Sequence, residues 1–182
     1  MYYKKYFKPF PKLNTKNLSL QINSLKDITD IYEIYKEKEV CKYSDILVYT
    51  DKLDALKYVL TNLNNYRKNC CYTFTVKLKE INKVIGTITI TQHSYNYKIL
   101  QIGYSFNKNF HKKGYATEAL LCLMDFFKNT LKTERVEALV LPQNAASINL
   151  LLKLGFKKES TLIKGAILEN TTKDVYMFAK IF

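Results

Sequence analysis

Apolar positions recur at two different spacings along the chain, and the alternation of these spacings predicts an ordered series of strands and helices. Residues 18–22 alternate apolar and polar positions, which is typical of a half-buried strand. Residues 71–78 and 84–91 are rich in β-branched and aromatic residues and flank a short polar turn at Asn82. We therefore predict a hairpin there. Residues 99–106 continue as a further strand.

Helical spacing dominates the segments between and after these strands. Residues 27–40 predict a helix with Asp27 at the N-cap. Residues 51–67 predict a second helix. Its predicted apolar face consists of Leu53, Leu56, Val59, Leu60 and Leu63.

The second half of the chain predicts alternating helices and strands. A core-facing helical stripe is formed by Ala116, Ala119, Leu120, Leu123 and Phe127. A buried-type strand is predicted at 135–141, a helix at 145–154, and a closing pair of strands at 156–164 and 174–181. Gly155 suits a helix end that requires a positive φ. The order predicts a mixed α/β (α+β) fold with an antiparallel front half and a strand–helix–strand–helix back half.

Size and composition limit the classes of protein that this chain can be. Its 182 residues fit one domain, with apolar residues at 47%. No segment reaches the roughly 18 apolar residues of a membrane span, and the first residues lack the apolar core of a signal peptide. We therefore expect a cytoplasmic protein that does not bind membranes. The four cysteines have no C-x-x-C spacing, which favours reduced thiols and predicts no metal site.

The charge is strongly basic and unevenly placed. The formal net charge is +13, and residues 1–16 contain five lysines and no acid. We take residues 1–12 as a basic N-terminal extension and residues 13–182 as a single domain. A second stretch without acids lies between Glu80 and Glu118. Such an excess attracts anions in general, yet no aromatic-basic nucleic-acid motif is present, so we do not expect nucleic acid as the partner.

The second basic stretch includes an unusual helix start at 109–119, "NFHKKGYATEA". A helix N-terminus presents unpaired N–H groups and the positive end of the helix dipole. Gly114 allows close approach of the backbone, and Lys112 and Lys113 add charge. The segment is neither a Walker A loop nor a G-x-G-x-x-G fingerprint. It is a candidate anion site beside the alternative of an ordinary helix start.

The wider context of this loop resembles a known family. The stretches "IGYSFNKNFHKKGYATEAL" (102–120) and "PQNAASINLLLKLGF" (142–156) resemble the GNAT superfamily of acyl-CoA-dependent N-acetyltransferases. "LNTKNLSLQ" (13–21) is similar to the opening of the ribosomal-protein N-terminal acetyltransferase (RimJ/RimL) branch, and "GYATEAL" also favours that branch.

This resemblance implies a mostly antiparallel central sheet, flanked by helices and splayed to hold acetyl-CoA. It implies that the backbones of Tyr104, Ser105 and Phe106 offer groups to the pantetheine amides. Asn144 would contact the same arm while capping its helix. Ser147 would protonate or hydrogen-bond the departing thiolate. The pyrophosphate would be held by a loop consisting of His111, Lys112, Lys113, Gly114, Tyr115 and Ala116.

The chain departs from the family pattern at the positions that carry proton transfer. Leu151 stands where many members have a tyrosine acid. Gln101 stands where branch relatives often have a glutamate, so the general base is unassigned. His93 is one candidate, because its intrinsic pKa suits the role. Glu118 lies in the first turn of its helix and is interpreted as structural, and Tyr104 as a wall of the cleft.

The resulting functional hypothesis is an N-acetyltransferase that moves acetyl from acetyl-CoA to a primary amine. The acceptor is either a protein N-terminal α-amine, which the branch favours, or a small-molecule amine. The alternative, motivated by Gln101, is a non-catalytic acyl-CoA-binding or regulatory protein with a degenerate active site. The oligomeric state stays open between monomer and homodimer.

Overall fold

The computed structural model describes residues 6–92, 98–168 and 170–182. Eight strands and five α-helices alternate in the described chain. The strands are β1 (Leu13–Asn14), β2 (Leu18–Ile22), β3 (Cys71–Leu78), β4 (Lys83–Gln92), β5 (Ile99–Phe106), β6 (Arg135–Val140), β7 (Lys157–Leu168) and β8 (Thr171–Ile181). The helices are α1 (Ile28–Tyr35), α2 (Lys38–Cys41), α3 (Lys52–Lys68), α4 (Tyr115–Asp125) and α5 (Ala145–Lys153).

The described strands form one sheet in the order β1-β2-β3-β4-β5-β6-β8-β7. All neighbouring pairs are antiparallel except β5 and β6, which run parallel. Their pairing is short: only Ile99–Gln101 of β5 meet Arg135–Glu137 of β6. Beyond Gln101 the two strands diverge, so the central sheet opens into a cleft.

Helices cover both faces of the sheet, and the two faces differ in polarity. The α4 face carries the main core, in which Leu120 and Leu123 pack with Ile88 and Ile102. The opposite face, towards α1 and α3, is polar at its centre because hydroxyl and amide side chains alternate with the core residues. We call this the polar sheet face; its members are Thr73, Thr75, Thr87, Thr89, Thr91, Gln101 and Ser105.

Most predicted elements are confirmed. The strands at 18–22, 71–78 and 99–106 agree with β2, β3 and β5, and the hairpin turns at Asn82 with φ of 49°. The stripe on α4 is buried at Ala119, Leu120, Leu123 and Phe127. Gly155 has φ of 82°, as its place after α5 predicts.

The predicted apolar face of α3 is partly confirmed. Val59 is buried and Leu63 packs against the core, but Leu53 and Leu60 are 53% and 51% exposed. Ala55 and Asn62, which were not predicted, are buried. The sheet face that α3 covers is polar, so an asparagine and a small alanine are buried and two leucines lie outside. Helical spacing alone therefore identified the helix but only part of its inward side.

Further details differ from the sequence-based expectations. The single helix predicted over residues 27–40 is two helices, α1 and α2, with a break at residues 36–37. Asp27 occupies the N-cap position of α1 but makes no capping bond to it; its carboxylate accepts from Ser24 N–H (2.9 Å) and pairs with Lys77 (3.4 Å). The helix after α4 continues as a π-helical segment, Phe126–Leu131. β6 is not buried throughout, since Leu139 is 37% exposed and lines the cleft.

The described part of the N-terminal segment packs onto the domain. Phe7 is 1% exposed, and its ring stacks on Tyr72 with centroids 3.8 Å apart. Phe10 packs edge-on against Phe74 at 4.6 Å. These apolar contacts anchor residues 6–10, and the boundary at residue 13 stays a prediction.

Candidate active site

The divergence of β5 and β6 opens a cleft of about 640 Å³. Its walls come from α1, α3, β4, β5, β6, the start of α5 and the β7–β8 hairpin. Because β5 has no partner along Ile102–Phe106 on its β6 side, alternate backbone N–H and C=O groups there are open to a ligand. An extended molecule that carries amides can pair with such an edge.

The loop at the N-terminus of α4 has the geometry of an anion cradle. Lys112 and Gly114 both have positive φ, 60° and 85°. The first hydrogen bond of α4 runs from Glu118 N–H to Gly114 C=O (3.0 Å), so the preceding helical N–H groups have no partner within the helix. An ideal Cβ on Gly114 would meet no atom within 4 Å, so the approach to these groups is open.

The basic side chains of this loop have different environments. His111 is tied down, since its Nε2 lies 2.8 Å from the carbonyl oxygen of Phe106. This bond anchors the loop to the end of β5 and uses one acceptor position of Phe106. Lys113 lies over the ring of Phe110, 5.3 Å from its centroid. Lys112 and Lys113 are exposed, so their charges face solvent around the helix end.

The predicted catalytic and pantetheine residues meet at the cleft. Asn144 caps α5 by accepting from Ser147 N–H at 3.1 Å, which confirms its N-cap role. Ser147 Oγ lies 2.8 Å from the hydroxyl of Tyr104, across the gap between β5 and α5. Burial raises the pKa of Tyr104 to about 12, and the bond to Ser147 offsets only part of that rise. Tyr104 is therefore protonated at neutral pH.

Carboxylates are scarce at the cleft. Gln101 lines it and accepts a bond of 3.4 Å from Thr91. Glu137 is the register partner of Gln101 on β6, but it is ion-paired with Arg135 at 2.6 Å and does not line the cleft. Of the described residues that do line it, Asp45 alone carries a charge. His93 lies outside the described residues.

Several cleft residues were missed by sequence reasoning. Tyr35 is buried, and its hydroxyl bonds Thr87 Oγ1 at 2.6 Å and Tyr58 at 3.3 Å. Burial, with a smaller contribution from Tyr58, holds the pKa of Tyr35 well above its ordinary value. The signal was present in "TITIT" (87–91), whose alternating threonines place their hydroxyls on one face of a strand.

Other site types find no support in the described part of the chain. Within residues 6–92, 98–168 and 170–182, no group of three or more His, Cys, Asp or Glu side chains is arranged to hold a metal ion. In the same residues no helix has the length and apolarity needed to cross a membrane.

Comparison with known proteins agrees with this geometry. Residues 18–157 match the model of the acetyltransferase (GNAT) domain. An uncharacterized N-acetyltransferase, p20, of Bacillus licheniformis is 32% identical over 92% of this chain and 94% of the relative. A GNAT-family acetyltransferase of Bacillus anthracis has a TM-score of 0.83 at 24% identity, with 94% and 98% of the chains covered. The RimL ribosomal L7/L12 α-N-protein acetyltransferase also has a TM-score of 0.83, at 17% identity with 94% of each chain covered.

The sheet splayed between two parallel strands, with a helix N-terminus at one end of the gap, is the cleft of this acetyltransferase (GNAT) domain, and the family match assigns the chain to the acyl-CoA-dependent transferases. The chain belongs to the GNAT acetyltransferase family. It is an acetyl-CoA-dependent N-acetyltransferase, and acetyl-CoA is its acetyl donor. The RimJ and RimL proteins share its fold.

Proposed function

We propose that the protein acetylates a primary amine that enters the cleft from the α1–α3 side while acetyl-CoA lies along β5 and the N-terminus of α4. The observation that carries this proposal is the position of the Tyr104–Ser147 pair at the divergence of β5 and β6. Tyr104 stands on the open strand edge, and its neighbours Gly103 and Ser105 belong to the opposite, polar face of the same strand. Donor and acceptor can therefore meet there from opposite faces of the sheet.

In this proposal the chain binds the donor mainly through its backbone. The edge of β5 at Tyr104, Ser105 and Phe106 pairs with the pantetheine amides. The N–H of His111 is engaged by the carbonyl of Lys108 at 3.1 Å, so the N–H groups that follow it, through Gly114 and Tyr115 to Ala116, bind the diphosphate. Lys112 and Lys113 add favourable charge. Asn144 has its Oδ1 engaged in the cap, which leaves its amide N–H₂ for the pantetheine arm.

The bound thioester supplies an activated acetyl group and a thiolate leaving group. Ser147 is the proposed proton donor to that sulfur, because its Oγ is held by Tyr104 and its proton can point into the cleft. As the C–N bond forms and the C–S bond breaks, the acceptor nitrogen sheds a proton, directly or through water, and this proton restores the Ser147 hydroxyl. Backbone N–H groups of β5 polarise the carbonyl. The acceptor must lose a proton before it attacks. With Gln101 in place of a carboxylate, we assign no side chain of the cleft as a general base.

The acceptor stays a choice between a protein N-terminal α-amine and a small-molecule amine. The α-N-protein acetyltransferase activity in the name of RimL belongs to that protein, and at 17% identity it supports the fold of this chain alone. A cytoplasmic location and a monomeric or homodimeric state are, like the class of acceptor, predictions from the sequence.

The proposal is tested by thiol release from acetyl-CoA in the presence of a broad panel of primary amines, with product mass to show N-acetylation. We expect turnover with at least one amine and no release above background without one. CoA protection against thermal unfolding with no turnover by any amine would instead favour the non-catalytic acyl-CoA-binding protein. Absence of CoA protection would contradict the placement of the donor.

A further inference from the structure

We infer that the pocket between α3 and the polar sheet face is the acceptor subsite, and that it takes a primary amine whose body is uncharged and carries hydroxyl or amide groups. This inference rests on the proposed function, because it assumes that the amine meets the donor at the divergence of β5 and β6. It goes further by giving the acceptor a chemical class.

The sheet side of this pocket, which we call its floor, is lined with hydroxyl groups. Thr87, Thr89 and Thr91 all line the cleft from β4. Their register partners on β5 are Ser105, Gly103 and Gln101. Gly103 has no neighbour within 4 Å of an ideal Cβ, so the floor beside Thr89 is open where the acetyl group is proposed to lie. A ligand on this floor meets hydrogen-bonding groups rather than apolar ones.

The opposite wall is made of neutral polar side chains as well. Tyr58, Asn62 and Asn65 of α3 and Tyr35 of α1 line the same cleft. The Tyr35–Thr87 and Tyr35–Tyr58 bonds hold these hydroxyls in place beside the pocket. Helix and sheet thus face each other with hydrogen-bonding groups on both sides.

Asn62 has a buried hydrogen-bond donor that lacks an acceptor. It is 8% exposed and lines the cleft. Its Oδ1 accepts from Thr73 Oγ1 at 3.2 Å, and Thr73 is held in turn by Thr89 at 3.1 Å. Its Nδ2 is buried and has no hydrogen-bond partner. A buried amide donor without a partner is destabilising, and a carbonyl or hydroxyl oxygen of a ligand would satisfy it.

The charge of the pocket restricts the ligand further. Although the chain carries a net +13, no Lys, Arg or His is among the described residues that line the cleft. A phosphate or carboxylate on the acceptor would therefore find no cationic partner among these described lining residues. Asp45, the charged member of the lining, is exposed at the mouth and attracts an incoming ammonium group.

Two kinds of primary amine carry uncharged hydrogen-bonding groups next to the amine. An amino sugar offers hydroxyls around its amine, and a peptide N-terminus offers an amide carbonyl next to its α-amine. Both can bond Asn62 and the threonines, whereas an apolar amine would leave these buried groups unpaired. Sites built to hydrogen-bond a substrate discriminate strongly against analogues that lack the matching group.

The test is a panel of primary amines assayed by thiol release, with kcat/KM expressed per neutral amine. The panel contains cyclohexylamine, aminocyclohexanol, glucosamine, the phosphate ester of glucosamine, and alanylalaninamide. We expect aminocyclohexanol to exceed cyclohexylamine, and glucosamine to exceed its phosphate ester, each by about tenfold or more. The ratio of glucosamine to alanylalaninamide identifies the source. Equal or better turnover of the apolar or the phosphorylated amine would overturn the inference.

A pair of variants on α3 tests whether Asn62 causes the preference for hydroxyl-bearing amines. Asn62→Leu removes the unpaired amide, and Asn64→Leu makes the same change on the exposed side of the helix. We expect Asn62→Leu to unfold at about the wild-type temperature, because removal of the unsatisfied Nδ2 offsets the loss of the bond from Thr73 to Oδ1. It should also reduce the preference for aminocyclohexanol over cyclohexylamine to about unity. Asn64→Leu should keep that preference.

The failure of this inference is distinct from the failure of the proposed function. An Asn62→Leu variant that keeps the full preference would refute the acceptor subsite while acetyl transfer stands. If no amine in the panel supports thiol release, the proposed function fails and the inference fails with it. If Asn62→Leu does not fold, Asn62→Ala provides the test, since it removes the amide without adding volume or charge; an unchanged preference would again refute the subsite.

Discussion

The hydroxyl of Tyr104 on β5 lies 2.8 Å from Ser147 Oγ at the first turn of α5, and the bond joins the two sides of the cleft. Because the pKa of Tyr104 is raised to about 12, its proton stays in place at neutral pH. A phenol is a stronger donor than an aliphatic hydroxyl, so Tyr104 donates to Ser147. The proton of Ser147 is then free to point at a leaving group.

This arrangement predicts the effects of two substitutions. Ser147→Ala should lower kcat by about a hundredfold while CoA affinity is kept, since the proton donor is lost and the binding groups are not. Tyr104→Phe should lower kcat less, because Ser147 remains but is no longer oriented. Steady-state kinetics and calorimetric CoA binding measure both effects.

A donor with a more acidic thiol gives the matched control for this role. Its thiolate leaves without protonation, so the rate difference between wild type and Ser147→Ala should shrink with such a thioester. Asn149→Ala, on the exposed side of α5, should change neither rate. An unaltered kcat in Ser147→Ala, or a rate loss that is the same with both thioesters, would return Ser147 to a packing role.

Gly114 provides a test of the diphosphate cradle that separates charge from strain. With φ of 85°, any side chain at this position is strained, and asparagine tolerates this conformation better than most. Gly114→Asn and Gly114→Asp are nearly equal in shape, so they should lose similar stability. Gly114→Asp alone should weaken CoA binding by at least about tenfold, because it places a carboxylate beside the diphosphate.

Calorimetry at low and high salt measures this difference. The gap in CoA affinity between the Asp and Asn variants should narrow as salt screens the added charge. Equal CoA affinity of the two variants at low salt would show that the diphosphate is bound elsewhere.

The sequence predicted the elements, the backbone turn at Gly114 and the cap at Asn144 better than the inward side of α3, for a physical reason. Strand and helix periodicity, Gly114 and the capping Asn144 are local features, so residues near in sequence determine them. The inward side of α3 and the Thr73–Asn62 contact depend on which sheet face the helix covers. That is set by tertiary packing, and the apolar pattern included two leucines, Leu53 and Leu60, that are exposed. The surroundings of Gln101 could not be predicted for the same reason. Its register partner on β6 is Glu137, which is distant in sequence.

Glu118 predicts a specific dependence of stability on pH. Its carboxylate accepts from Asn17 N–H at 2.8 Å and Asn17 Nδ2 at 2.9 Å, and also from Thr15, which ties the β1–β2 turn to α4. This confirms the structural role expected for it. Burial by itself would raise the pKa of Glu118, but the hydrogen bonds from Thr15 and Asn17 outweigh it, and the pKa is lowered.

A carboxyl whose pKa is lower in the folded state stabilises the fold above its unfolded pKa and loses that contribution as pH falls through the folded value. Glu118→Gln should therefore be less stable than wild type at neutral pH, and the difference should shrink as pH falls below about 4.3, the ordinary value for glutamate. Urea unfolding across this range measures it, with the exposed Glu80→Gln as control. A stability difference that does not change with pH would contradict a stabilising role of the ionised Glu118 carboxylate.

Phe7 predicts that the N-terminal segment contributes to the stability of the domain. Its ring stacks on Tyr72 at 3.8 Å and meets Phe126 edge-on at 6.0 Å, and its carbonyl accepts a 2.8 Å bond from the hydroxyl of Tyr66. Phe7→Ala would leave a cavity in the core beside β3, so the free energy of unfolding should fall by about 3–5 kcal/mol. Lys8→Ala, at an exposed neighbour, should change it little. Chemical denaturation of the two variants decides the point: equal stabilities would mean that residues 6–12 are an appendage rather than part of the core.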